Sequence, residues 1–161
     1  MRYKLVATAL ATSAVIAATV PALTGAQSPG PRDLTLRLKD GAGSLVQHGK
    51  AKGARLAPGD SLVVRQAMYD TSDKRVGQNY IECTNVGAKA TVERARLQCM
   101  ATYALADGQI VAAGVFRMVE GAELNVAVVG GSGAYAGVSG SLTAGAPVQG
   151  YDSVDVLHLD G

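Results

Sequence analysis

The sequence predicts an all-β protein, an eight-stranded antiparallel, calycin-like β-barrel that follows a cleaved signal peptide. Three observations lead there. About eight short runs rich in Val, Leu, Ile, Thr and Tyr succeed one another, several alternating with a period of two. The gaps between them carry Gly, Pro, Asp and Ser, and no stretch after the leader has the spacing of a helix. In residues 124–140 an apolar run enters a glycine hinge and leaves it as a second run of small residues. Glycine lets another backbone come close, so this stretch reads as a sharp corner in a curved sheet. A closed barrel removes the exposed sheet edges most simply, and a two-sheet sandwich is the competing architecture.

Residues 1–26 read as a secretory signal peptide. Arg2 and Lys4 supply the basic start, an apolar run follows, and small residues near Ala22 or Ala26 offer two cleavage points. The run is short for a membrane anchor. Beyond the leader, the 15 Lys and Arg of the whole chain fall to 13, matching 13 Asp and Glu. A neutral exported chain has no field to gather nucleic acid or an anionic surface, so neither is expected as a partner. A secreted location with no membrane attachment after cleavage is the expectation.

Residues 27–32 form a Pro/Gly/Ser tether, and residues 33–161 one domain. Residues 33–39 set Leu34, Leu36 and Leu38 against Thr35, Arg37 and Lys39, a half-buried strand. Residues 40–59 show no clean period and read as a long loop, with a short strand near 44–47 and a solvated His48. Strands follow at 61–69, 76–86, 91–105, 109–117, 124–129, 135–143 and 153–159. The turns are Asp70-Thr71-Ser72-Asp73, Gly87, Ala106-Asp107-Gly108, Glu120-Gly121, 130–133 and 145–150.

Cys83 and Cys99 both lie in the exported part, where an even pair is read first as a disulfide. A reactive thiol or metal ligand is the alternative, but no His stands near and there is no Cys-x-x-Cys. If the two pair across neighbouring strands, Asn79 and Ile81 share the face of Cys83, and Leu97, Ala101, Tyr103 and Leu105 that of Cys99. That face is mostly apolar, so it looks inward.

Gly131-x-Gly133-x-x-Ala136 touches the dinucleotide fingerprint, yet no helix starts on the glycines. The nearby Ser132 misses the hydrolase elbow spacing by one residue. With two histidines and no ligand cluster, neither a metal nor a cofactor is expected. What remains is an apolar barrel interior with a few polar points as cavity or ligand-binding candidates: Asn79, Tyr103, Asn125, Arg65, Tyr69 and His158. His158 is a candidate because it alternates with Val154 and Val156. For a buried Tyr or Asn, satisfying backbone groups is the equal alternative. No catalytic residue is assigned.

The Val129-Gly130-Gly131-Ser132-Gly133-Ala134-Tyr135-Ala136-Gly137 block resembles the glycine motif of the allene oxide cyclase and dirigent superfamily of β-barrels. Gly59-Asp60, Tyr69-Asp70, Val76-Gly77, Cys83-Thr84 and Asp107-Gly108-Gln109-Ile110 extend the resemblance in order. Ser132 stands where the family usually has Thr. The resemblance implies a cofactor-free barrel that holds a hydrophobic small molecule and steers its cyclisation or isomerisation, with cycloaddition on a polyketide-like intermediate as one form of it. It also implies a homo-oligomer. A non-catalytic carrier and a structural module of the envelope are the alternatives. The family's polar constellation has no clear match here, and a fold analogy does not by itself assign chemistry.

Overall fold

A computed structural model describes residues 30–46, 55–117 and 123–160. The leader with its cleavage points, His48 and the Glu120-Gly121 turn lie outside the described residues. No helix among the described residues is long and apolar enough to cross a membrane.

Among the described residues, the alternating and β-branched runs form ten strands and one short 3₁₀ turn. They are β1 (Arg32–Val46), β2 (Arg55–Leu56), β3 (Ser61–Tyr69), β4 (Arg75–Asn85), β5 (Ala90–Thr91), β6 (Arg96–Leu105), β7 (Gly108–Arg117), β8 (Leu124–Gly133), β9 (Ser139–Ala144) and β10 (Ser153–Asp160), with the 3₁₀ turn at Val92–Arg94. Eight of them close into an antiparallel barrel in the order β1-β10-β9-β8-β7-β6-β4-β3, and β2 pairs with β5 beside it. A barrel, not a sandwich, is the answer.

β1 closes the ring. Its first half pairs with β10 and its second with β3, with a bulge between Lys39 and Ala42. The sequence predicts a loop from residue 40 with a short strand near 44–47; the strand is there, but as the continuation of β1. The small residues there show no side-chain alternation, but their backbone continues the ladder from Ala42↔Arg65 to Val46↔Ser61. A second difference lies at 91–105, read as one strand. Ala95 is fully buried and its N–H bonds to the Thr91 carbonyl, which breaks the run into β5, the 3₁₀ turn and β6. In the glycine block, a register shift opposite Val111 and Ala112 leaves Val129 bulged. The turn follows at residues 134–137, so β9 begins only at Ser139, and Tyr135 packs into the core from that turn.

Among the described residues, two apolar clusters result. Leu36, Met68, Ile110, Val128, Tyr135 and Leu157 belong to the larger one, which fills the barrel toward the β6–β7 hairpin. Leu56, Cys83, Ala95, Leu97 and Cys99 form the smaller, toward the other end, where the β2–β5 ribbon packs. Cys83 and Cys99 face each other across β4 and β6 and are joined as a disulfide. Their face looks inward, with Asn79, Leu97 and Tyr103 all buried. The bridge spans 16 residues, and closing a loop of that size removes about 3 kcal/mol of freedom from the unfolded chain. The double variant Cys83→Ser, Cys99→Ser is expected to lose about that much in a urea titration. A loss below about 1 kcal/mol would mean that the unfolded chain is already restrained there.

Candidate functional site

At the end of the barrel where the 145–152 connection crosses, the interior is open. The cavity has a volume of about 440 Å³, within the range of about 300–1,000 Å³ common to small-molecule sites. Its wall is mainly apolar, with Leu38, Val64, Ile81, Phe116, Leu124 and Val126 among the lining residues. These are inward positions of β1, β3, β4, β7 and β8, the consequence of strand alternation with one face packed.

The polar groups gather on one side and at the base. Tyr103 on β6 donates its O–H to Asp155 Oδ2 on β10 at 2.6 Å. β6 and β10 lie opposite each other in the ring, with three strands between them on either side, so this bond spans the lumen. Tyr103 is 1 % exposed and Asp155 3 %. Both line the cavity, whereas the next inward residues along their strands, Leu105 and Leu157, do not. The pair is therefore the cavity's floor. Ser153 Oγ donates to Asp155 Oδ1 at 3.1 Å. Nearer the mouth, the Gly41 N–H (2.9 Å) and Gln66 Nε2 (3.2 Å) both donate to Asp152 Oδ2. The same connection is fastened outside the barrel, where the Tyr151 O–H and Arg37 both bond Asp73.

Burial raises the Asp155 carboxyl above its ordinary value, and the hydroxyls of Tyr103 and Ser153 partly offset this by stabilising the anion. Tyr103 is pushed well above the usual phenol range, first by burial and then by the charge and hydrogen bond of Asp155. It therefore remains a donor across the working pH range. Asp155 accepts one bond on each oxygen, and a carboxylate has about four lone-pair directions. Capacity is left for a proton from a bound molecule.

Of the residues singled out in the sequence, Tyr103 lies at this site. Asn79 is its neighbour in register and is fully buried, and neither of its amide atoms has a partner. A buried amide without partners costs about 1–3 kcal/mol. Asn79→Leu, of similar volume, is thus expected to raise the urea midpoint by about 1 kcal/mol of stability, and a loss would show that the amide is held by a contact of its own.

The other four candidates lie outside the cavity. Arg65 is exposed on the outer face of β3, because Gln66 and Met68 take the inner positions. Tyr69 is half-buried and meets the Tyr151 ring edge-on at 6.0 Å. Asn125 is exposed and accepts a bond from Thr143 Oγ1 at 2.8 Å. His158 is exposed beside Asp33, with 2.8 Å between Nδ1 and Oδ1. Its strand runs in the opposite phase to the expected one: Asp155, Leu157 and Leu159 point in, while Val154, Val156 and His158 do not. Asp155 is not among the sequence-derived candidates, and its one signal in the sequence is an acid in step with two leucines.

Residues 44–155 match the family described as the allene oxide cyclase barrel like domain. The chain belongs to that family. No curated protein sequence matches it. Among solved structures it is similar to a pyocyanin demethylase at 25% identity and TM-score 0.63, over 80% of this chain and 99% of that one. It is also similar to the pterocarpan synthase dirigent protein PsPTS1, at 19% identity and TM-score 0.55, over 81% of this chain and 96% of that one. The Diels Alderase AbmU from Streptomyces koyangensis matches at 14% identity and TM-score 0.53, over 80% of this chain and 62% of that one. With the latter two, what is shared is the fold.

Proposed function

We propose that this chain is a secreted barrel that binds a hydrophobic small molecule and steers its isomerisation or cyclisation by proton transfer, using its own side chains. The observation that carries this is the Tyr103–Asp155 pair, buried at the floor of an otherwise apolar chamber. The similar structures named for a demethylase, a pterocarpan synthase and a Diels Alderase support a small-molecule site in a barrel of this shape. The chamber speaks against a filled structural module. A disulfide suits an extracellular setting.

Asp155 is the base. Its carboxylate takes a proton from an acidic C–H, N–H or O–H of the guest and returns it to a different atom, so atoms and charge balance and no redox partner is needed. Tyr103 and Ser153 are positioning residues. Their hydroxyls fix the two oxygens and leave the remaining lone pairs toward the chamber. The apolar wall holds the guest folded and keeps water from the transferred proton, which raises the effective concentration of the reacting ends.

Native mass spectrometry of the protein purified from its producing cells tests the reading. A bound small molecule is expected, and incubating it with the protein in D₂O should place deuterium at the atom that Asp155 serves. A ligand that binds without exchange or conversion would make the chain a carrier. A protein that takes up no apolar molecule would end the proposal.

A further inference from the structure

We infer that the chamber selects a cationic guest, such as an apolar ring system carrying a quaternary or protonated nitrogen, over a neutral or carboxylate-bearing one. This rests on the chamber being a ligand site, as proposed above.

The charged side chains on its wall are Asp152 and Asp155; among the described residues, no Lys, Arg or His lines it. Buried acids are ordinarily paired with a cation. Asp155 is 3 % exposed, and its partners are two neutral hydroxyls. Arg37 pairs with Asp73 and His158 with Asp33, both away from Asp155, and what acts on the Asp155 carboxyl is burial and the Tyr103 and Ser153 hydroxyls. The described residues therefore supply hydrogen bonds to this carboxylate but no countercharge, and Asp155 lines the chamber.

A guest carrying positive charge completes the pair where charges interact strongly. A guest carboxylate would bring a like charge beside Asp155 in the same surroundings. Asp152 acts in the same sense at the mouth, where the Gly41 N–H and Gln66 hold it in place. Phe116 adds an aromatic ring to the wall, a group that suits a delocalised cation.

Three fluorophores of one shape separate charge from fit: 10-methylacridinium, acridine and acridine-9-carboxylate, titrated into the purified protein at pH 7.5. The cation is expected to bind at least about tenfold more tightly than acridine, and the carboxylate most weakly. Asp155→Asn should bring the cation and acridine to within about threefold of each other, with the acridine Kd little changed. Asp152→Asn changes an exposed residue, so it tests the idea even if Asp155→Asn does not fold, and it should narrow the preference by about two- to threefold. Binding of the carboxylate as tightly as the cation, or a preference that survives both variants, would overturn the inference and leave the proposed function standing. Failure of all three probes to bind would remove the ligand site itself, and the inference with it.

Discussion

Asp155→Asn is expected to lower deuterium exchange into the bound ligand by about 10²–10⁴-fold, the usual contribution of a positioned base, while the barrel keeps its fold. Asn has nearly the same shape, and its carbonyl oxygen can still accept the Tyr103 hydroxyl that spans the lumen. It cannot take a proton. The stability of the variant separates this from simple damage. The folded-state pKa of Asp155 is raised by burial, so the folded protein binds that proton more tightly than the unfolded chain does. The charged form is a cost to the fold. That cost is absent below the unfolded pKa, grows as pH rises through the window up to the folded value, and is complete above it. At pH 7.5 Asp155→Asn should therefore melt no lower than the wild type.

Tyr103→Phe gives the companion result. It removes a donor that stabilises the Asp155 anion, so the acid limb of the exchange rate should move to higher pH, since the base must be ionised to act. A rate unchanged in Asp155→Asn, or an unfolded variant with no shifted limb in Tyr103→Phe, would remove the pair from the chemistry.

The barrel was legible because its signals are local. The turns at Asp70-Thr71-Ser72-Asp73 and Ala106-Asp107-Gly108 set two hairpins, and the polar and apolar faces of β4 and β6 differ enough to fix which way Cys83 and Cys99 point. Tyr103 followed from that phase. Asp155 did not, because β10 is apolar on both sides: Val154 and Val156 compete with Leu157 and Leu159, and period two cannot choose between them. The same ambiguity in β3 favoured Arg65 over Gln66. What decides both cases is the packing of strands far away in sequence, with Tyr103 and Asp155 52 residues apart. The long β1 was hidden for another reason. Beyond Asp40 its pairing is carried by backbone, and Gly and Ala leave no pattern of side chains to read.

Gly140→Ala is expected to cost about 3 kcal/mol or more, a large share of a margin that is about 5–15 kcal/mol for a whole domain. Two effects add. Gly140 has φ 137°, a region that side chains rarely enter, and a Cβ built there would overlap the carbonyl oxygen of His158 on the neighbouring strand. That atom is backbone within the β9–β10 ladder, pinned by Leu157↔Leu142 and Leu159↔Gly140, so it cannot swing aside as a side-chain end would. Overpacking of this kind costs about 1–3 kcal/mol by itself, and a left-handed dihedral adds about 1–2 kcal/mol. Two other glycines resolve the contributions. Gly150 has φ 83° but nothing within 4 Å of a built Cβ, so Gly150→Ala should lose only the dihedral share, about 1–2 kcal/mol. Gly30 also has open space, without a positive φ, and Gly30→Ala should be neutral. Urea midpoints of the three variants check the order. If Gly140→Ala were no worse than Gly150→Ala, close approach of β9 to β10 would not be what the glycine there provides, and the corner would rest on backbone conformation alone.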